Sequence, residues 1–175
     1  SNLERNLYYA TQVIELGHPT FIALNMMDVA RDNGHEVDAA TLEAELGVPV
    51  LPLIANTQTG LPELRARILA AGREPAPAGS TPRFAQLPES FEREAAALAN
   101  MLGDEAGPVA RTRPAEARLL LADEKALANA PARIATRIGE AVRAARTRLE
   151  ADGIDWRSLP IESRYARVAA IHEAA

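Results

Sequence analysis

The pattern of apolar and polar residues over residues 1–72 predicts helices and short buried strands in alternation. Apolar side chains recur every three or four positions from Leu3 to Ile14, which predicts a helix. The segments TFIALN and VPVLPLIA, residues 20–25 and 48–55, are short and apolar on both faces, as is typical of strands in a parallel sheet. Further helices are predicted between the strands and after the second one. This order favours an α/β fold with a parallel sheet.

The helix after the second strand is predicted to bury a face that carries Leu61, Leu64 and Ile68. Residues 73–86 begin with a stretch rich in proline, glycine and serine, which predicts a linker. Residues 87–175 show only helical patterns, and each predicted helix begins at or beside a proline, a residue suited to the first helical turn. The predicted helices cover residues 87–102, 114–127, 131–150 and 160–174. The chain is thus predicted to join part of an α/β domain (1–72) to a small all-α domain (87–175).

Two strands are too few for a stable parallel sheet, because both would expose unpaired edges and apolar faces. We therefore expect the early strands of a doubly wound sheet to lie before Ser1, so that the chain is a truncated or incompletely recorded piece. The alternative is an all-α protein in which both apolar runs belong to helices.

The overall composition excludes several functional classes. The net charge of −5 argues against nucleic-acid binding, which needs clustered positive charge. The absence of cysteine excludes disulfides and thiolate chemistry, and no apolar run approaches about 18 residues, the length that spans a membrane. The three histidines, His18, His35 and His172, are scattered along the chain, so no metal site is predicted.

Polar residues follow the first predicted strand, where Asn25 and Asp28 form an Asn-x-x-Asp pattern. Ligands of open α/β sheets bind beyond the carboxyl ends of the strands. A carboxylate at that edge can accept hydrogen bonds from a ring N–H and an exocyclic NH₂ together, and guanine carries this pair of donors whereas adenine does not. Taken alone, the pattern is more often a helix cap or a turn.

The loop after the second strand favours a guanine pocket over a simple turn. Ala55, Asn56 and Thr57 form a small loop before a glycine and a helix. Two neighbouring strand ends that each deliver a polar loop form a base pocket more credibly than one strand end, so these residues are predicted to close the pocket. Met26 and Met27 are predicted to cover the plane of the base.

Three stretches of the chain resemble FeoB-type ferrous iron transporters. SNLERNLYYATQVIELGHPTFIALNMMDVA is similar to their guanine-nucleotide-binding region, and NMMD resembles a fourth G motif that lacks the usual lysine. GVPVLPLIANTQTGLPELRARI resembles the next strand, the fifth G motif and the last helix of the same domain. ESRYARVAAI resembles the Arg-Tyr segment that closes the cytosolic helical domain of the family.

The resemblance implies part of a P-loop GTPase-like domain followed by a helical linker domain that favours GDP retention. It implies that GTP or GDP is bound by Asn25, Met26, Asp28, Ala55, Asn56 and Thr57. The chain has no Gly-x-x-x-x-Gly-Lys-[Ser/Thr], so the phosphate loop, the Mg²⁺ ligands and the hydrolytic residues are expected upstream, and no catalytic residue is predicted here.

The resemblance also implies partners and a location. The expected partners are the missing N-terminal half of the G domain and the transmembrane part of the same transporter, at the cytoplasmic face of a bacterial inner membrane. Whether the chain forms a homo-oligomer is left open. Ala55 departs from the fifth G motif of the family, which usually has serine there.

Two other functions stay open from the sequence. A non-enzymatic α-helical interaction module would bind no nucleotide. Another bacterial regulatory GTPase would share the α/β part, but the motif without lysine and the segment SRYARV argue against it.

The third predicted helix of the second domain carries five arginines opposite its apolar stripe. They are Arg133, Arg137, Arg143, Arg146 and Arg148. The favoured interpretation is a solvated face, and the alternative is contact with acidic lipid headgroups or with the G domain. Trp156 is predicted to anchor the turn before the last helix.

Overall fold

A computed structural model describes residues 2–71, 81–102 and 108–175. It divides the chain into two compact units, one formed by Ser1–Pro82 with Val168–Ala175 and the other by Arg83–Arg167. The helices are α1 (Asn2–Glu15), α2 (Met27–Asp32), α3 (Ala39–Leu46), α4 (Leu61–Ala71), α5 (Glu89–Met101), α6 (Pro108–Ala122), α7 (Glu124–Ala128), α8 (Ala132–Ala151) and α9 (Leu159–Ala174). The strands are β1 (Ile22–Leu24) and β2 (Val50–Pro52), and a 3-10 turn covers Ala55–Thr57.

The two strands pair in parallel, which confirms the predicted α/β part followed by helices. Ile22 lies opposite Val50 in the register, and backbone hydrogen bonds join Ile22 N to Pro49 O at 2.8 Å and Leu53 N to Leu24 O at 2.9 Å. β2 buries Val50 and Leu51, whereas β1 is only partly buried. The prediction of full burial is therefore wrong for β1, because within the described residues it has a paired neighbour on one side only.

Apolar side chains from α1, α3 and β2 form the core of the first unit. Leu7 and Ile14 of α1 and Leu42 and Leu46 of α3 are almost fully buried. Asp38 caps α3 by accepting a hydrogen bond from the Ala40 N–H at 2.9 Å, as its position before the helix suggests.

The last residues of α9 belong to the first unit, although the domain predicted from the sequence extends over 87–175. Val168 and Ile171 are fully buried, and the Asp38 N–H donates to the Ala175 carbonyl at 2.9 Å. A helical pattern shows which face of α9 is apolar, but it does not show what covers that face.

The apolar face predicted for α4 is not buried. Leu61 and Leu64 are half-buried, while Ile68 is 52% exposed. A sheet of two three-residue strands offers little surface for a helix to pack against, which explains the exposure of this face.

The second unit is a helical bundle, as predicted, with a core built mainly from α5, α6 and α8. Its fully buried side chains include Phe91, Leu121, Ile138 and Val142. The described end of the predicted linker also packs into this unit, because Phe84 is buried and the Gln86 N–H donates to Ser163 Oγ at 2.8 Å. Positions 73–80 of the predicted linker lie outside the described residues.

The second predicted helix of this unit differs from the observed elements at both ends. α6 begins at Pro108, and Pro114 lies inside it rather than at its start. Each proline is a valid start signal, so the sequence pattern does not distinguish them. The helix then ends before Asp123, whose side chain accepts the Lys125 N–H at 2.7 Å and caps α7.

Arg146 is buried, which corrects the prediction that all five arginines of α8 form a solvated face. Its Nε and Nη2 donate to the carbonyls of Leu121 and Leu120 at 3.0 and 2.8 Å, in the last turn of α6. Carbonyls in the last turn of a helix have no partner within the helix, so the guanidinium supplies the missing donors. Its carbon also lies 4.0 Å from the ring centre of Trp156.

Trp156 is buried beside the turn that leads to α9, as predicted. Its Nε1 donates to Glu150 at 2.8 Å, and Arg157 stacks on its ring at 3.9 Å. The other four arginines of α8 are exposed, and Arg148 among them forms an ion pair with Glu94 at 2.7 Å.

Replacing Arg146 by methionine is expected to destabilise the protein by about 2–4 kcal/mol, because two buried carbonyls lose their donors. Arg146→Lys is expected to restore only part of this stability, since one ammonium does not reproduce a planar fork that also stacks on an indole. Urea unfolding followed by circular dichroism measures both. Arg143→Met, at an exposed position of the same helix, is the control, and equal losses at 143 and 146 would contradict the prediction.

Candidate functional site

The loop after β1 turns sharply from strand to helix. Met26 adopts a left-handed conformation, with φ 65° and ψ 35°, and α2 begins at the next residue. This conformation is unfavourable by about 1 kcal/mol or more for a residue with a β-carbon. The sharp turn places Asn25 before α2 and Asp28 in its first turn, at the carboxyl end of the sheet.

The loop after β2 is closed on itself by hydrogen bonds. Ile54 and Thr59 exchange two backbone hydrogen bonds, at 3.0 and 3.2 Å, and the 3-10 turn lies between them. The Thr57 hydroxyl donates to the Ile54 carbonyl at 3.2 Å and lies 2.9 Å from the Thr59 hydroxyl. Gln58, with φ 61°, completes the reversal of the chain.

One side-chain hydrogen bond joins the two loops. Asn25 Oδ1 accepts from the Ala55 N–H at 3.1 Å, across 30 positions of sequence. Parallel pairing of β1 with β2 puts both loops at the same edge of the sheet, which brings these residues together. Asn25 therefore holds the 3-10 turn at a defined distance from α2.

A cavity of about 260 Å³ lies between the two loops. It is lined by Asn25, Met26, Asp28, Val29, Ile54, Ala55 and Asn56. Five of the six residues predicted from the sequence to bind nucleotide are in this set. Thr57 is not, because its hydroxyl is directed to Ile54 and Thr59. Met27, which was predicted to cover the base, is not in this set either.

Val29 and Ile54 line the cavity but were not predicted from the sequence. Both are apolar neighbours of predicted site residues, and a strand end or a helix start would place them beside the cavity. Neither carries a chemical signal that distinguishes it from an ordinary core residue. Met26 and Val29 are large apolar side chains that remain 57% and 42% exposed at this cavity.

The electrostatic character of the cavity is simple. Among the residues that line it, Asp28 is the one with an ionisable side chain, and no lining side chain is basic. The arrangement suits a planar, neutral ligand that offers hydrogen-bond donors to a carboxylate. It does not suit a phosphate group, which calls for positive charge or a cluster of backbone N–H groups.

Within residues 2–71, 81–102 and 108–175, no three acidic or histidine side chains come together as a metal site would require. Within the same part of the chain, every helix is too short or too polar to span a bilayer.

The α/β unit and the helical unit together define the class of protein, a G-domain-like fold with an appended helical bundle. The structure superposes on a mutant of S. thermophilus NFeoB bound to GDP with a TM-score of 0.72 and 29% identity, over 99% of this chain and 65% of that chain. It superposes on mGMPPNP-bound NFeoB from S. thermophilus with a TM-score of 0.75 and 28% identity, over 99% and 63% of the two chains.

The sequence comparisons show similarity to one particular family. Residues 1–68 match the family described as Ferrous iron transport protein B. Fe(2+) transporter FeoB of Legionella pneumophila (strain Paris) and that of Escherichia coli (strain K12) are each 44% identical to this chain over 68 residues. The aligned stretch is 39% of this chain and 9% of either relative. The resemblance to FeoB-type ferrous iron transporters that was inferred from the sequence is thus confirmed.

Asn25→Ala is expected to loosen the 3-10 turn without unfolding the unit, because it removes the acceptor for the Ala55 N–H. Loss of one neutral hydrogen bond corresponds to about fivefold faster local opening. Amide hydrogen exchange of residues 55–57 measures this rate. Asn33→Ala, which removes a hydrogen bond from Asn33 Nδ2 to the Val29 carbonyl, is the control and should leave the exchange at 55–57 unchanged.

Gly60→Ala is expected to be far more destabilising than Gly34→Ala, although both glycines have positive φ. A β-carbon at Gly60 would lie 2.6 Å from the Pro52 carbonyl oxygen, whereas one at Gly34 meets nothing within 4 Å. We expect the free energy of unfolding to fall by about 1 kcal/mol for the change at position 34. The loss at position 60 should be about 2–4 kcal/mol, because the steric overlap adds to the strained conformation. Urea unfolding of the two variants measures the difference, and equal losses would show that the loop relaxes freely.

Proposed function

We propose that this chain reads the guanine base in the GTP-binding part of a ferrous iron transporter. In this proposal the transporter binds GTP and hydrolyses it slowly, and this cycle regulates Fe²⁺ uptake. The observation that carries the proposal is the hydrogen bond from the Ala55 N–H to Asn25, which assembles two loops around a cavity with one carboxylate.

Asp28 is the residue that selects guanine in this proposal. Its carboxylate accepts from the ring N–H and the exocyclic NH₂ of guanine, a pair of donors that adenine lacks. It has no charged partner among the residues that line the cavity. An adenine would leave the carboxylate unpaired against an apolar ring, and a site built for a hydrogen bond strongly rejects a ligand that cannot form it.

The 3-10 turn is proposed to supply the second contact with the guanine base. Because the Ala55 N–H is donated to Asn25, the next amide of the turn, Asn56 N–H, is the donor that we assign to the guanine oxygen. Met26 and Val29 are exposed apolar side chains at the cavity, and we assign them to contact with the plane of the base. Apolar contact with the flat ring would bury both side chains.

The phosphates and Mg²⁺ are proposed to bind outside this cavity. The lining side chains include a carboxylate and no cation, so they would repel a triphosphate. Solved neighbours of this fold hold GDP or GMPPNP. We assign the phosphate loop, the Mg²⁺ ligands and the attacking water to upstream segments of the transporter, and no catalytic role to the residues described here.

We also propose a role for each part of the chain and a cellular location. Residues 1–72 would bind nucleotide, and residues 87–175 would act as the helical linker that favours GDP retention. Both would lie at the cytoplasmic face of a bacterial inner membrane, joined to the transmembrane part of the same transporter.

Asp28→Asn in the natural full-length protein is expected to change the preferred base from guanine to xanthine. The asparagine amide donates to the xanthine carbonyl that replaces the guanine NH₂. We expect affinity for GTP to fall by about 100-fold and affinity for xanthosine triphosphate to rise. Displacement of a fluorescent guanine nucleotide by unlabelled nucleotides measures both affinities.

Asp32→Asn is the matched control, because it removes one carboxylate from the same helix away from the cavity. It should leave both affinities unchanged. Loss of GTP binding without a gain for xanthosine triphosphate would indicate damage to the fold, and unchanged binding in the Asp28 variant would refute the proposed role.

A further inference from the structure

We propose that Thr57 and Thr59 are positioning residues of the guanine site, acting through the 3-10 turn rather than by contact with the base. This inference rests on the function proposed above. It concerns the hydrogen-bonded hydroxyls of the loop after β2, where Thr57 Oγ1 lies 2.9 Å from Thr59 Oγ1 and 3.2 Å from the Ile54 carbonyl.

The direction of the hydrogen bonds follows from the number of protons available. Each hydroxyl has one proton to donate. Because Thr57 donates its proton to the Ile54 carbonyl, Thr59 must donate to Thr57. The result is a directed chain from Thr59 through Thr57 to Ile54, in which Thr57 both accepts and donates.

The hydroxyl chain ends at a residue that lines the cavity. Ile54 is part of the cavity wall, and its carbonyl also accepts the backbone N–H groups of Thr57 and Thr59 at 3.2 Å each. The Thr57 hydroxyl therefore reinforces the point at which the loop closes. Thr57 itself is absent from the cavity lining, so its influence on a bound base must pass through this closure.

Backbone hydrogen bonds close the turn, and two side-chain contacts add to them. Residues 55–59 are exposed, so their side chains contribute no buried apolar area to hold them. Asn25 fixes the turn at Ala55, and the hydroxyl chain fixes its far side. Between the two anchors lies Asn56, the residue to which we assign the contact with the guanine oxygen.

A rigid turn should slow nucleotide release more than it speeds binding. In this proposal the turn contacts the bound base, so it has to loosen before the base leaves. Mutations that weaken an existing site act mainly on the dissociation rate. Removing the hydroxyl chain should therefore accelerate release and leave the association rate close to that of the natural protein.

The experiment measures release of a fluorescent GDP analogue from the natural full-length protein and three loop variants by stopped flow. Thr57→Val removes both hydrogen bonds at almost constant shape, and we expect about tenfold faster release. Thr59→Val removes one hydrogen bond, and we expect about threefold faster release. Thr57→Ser keeps the hydroxyl and should restore slow release. Thr20→Val, which removes an exposed hydrogen bond to the His18 carbonyl, is the control.

The outcomes separate this inference from the proposed function. If the natural protein does not bind the fluorescent guanine nucleotide, the proposed function fails. If it binds, and Thr57→Val releases GDP at the natural rate, the positioning role is overturned while the proposed function stands. Release that is equally fast in Thr57→Ser and Thr57→Val also overturns it, because the hydroxyl would then be irrelevant. Urea midpoints equal to that of the natural protein exclude a general loss of stability, and Thr59→Val provides a second test if Thr57→Val unfolds.

Discussion

Because β1 and β2 run parallel with Ile22 opposite Val50, the loops that follow both strands begin at the same edge of the sheet. The hydrogen bond from the Ala55 N–H to Asn25 depends on that register. A slip of one residue would displace one loop by about 3.3 Å along the strand and separate the two atoms. The cavity, its lone carboxylate and the orientation of the 3-10 turn all follow from this pairing. Although the sheet is small, its parallel pairing places two loops that are distant in sequence beside one cavity.

The two units satisfy buried polar groups in different ways. In the second unit, Arg146 donates to two carbonyls at the end of α6 and stacks on Trp156, so a charged residue stabilises a helix end inside an apolar core. In the first unit, loop atoms bond to one another and leave Asp28 without a charged partner in the cavity lining. Arg146 thus has its hydrogen-bond partners within the chain, whereas the partners that we propose for Asp28 come from a ligand.

Sequence reasoning was most successful where a local pattern decides the outcome. The end of β1 at Leu24 and the position of Asn25 and Asp28 beyond it follow from short-range signals, whereas β2 ends at Pro52 although the predicted strand extends to Ala55. It was less successful where two signals compete or a partner lies far away. Pro108 and Pro114 are equally good helix starts, and Arg146 carries the same charge as its exposed neighbours on α8. Nothing in the local pattern near Val168 shows that this part of α9 belongs to the first unit.

The amino-acid sequence by itself determined the order of the elements, the resemblance to FeoB-type transporters, and the polar residues available at each strand end, because hydrophobic periodicity, turn residues and motif spacing act over a few positions. Tertiary structure alone decided which of those residues share a cavity. It brought Val29 and Ile54 into the wall, and it turned the Thr57 hydroxyl away from the cavity toward the Ile54 carbonyl. The physical reason is that a hydrogen bond between distant loops depends on strand register and backbone conformation. The spacing of residues along one segment determines neither of them.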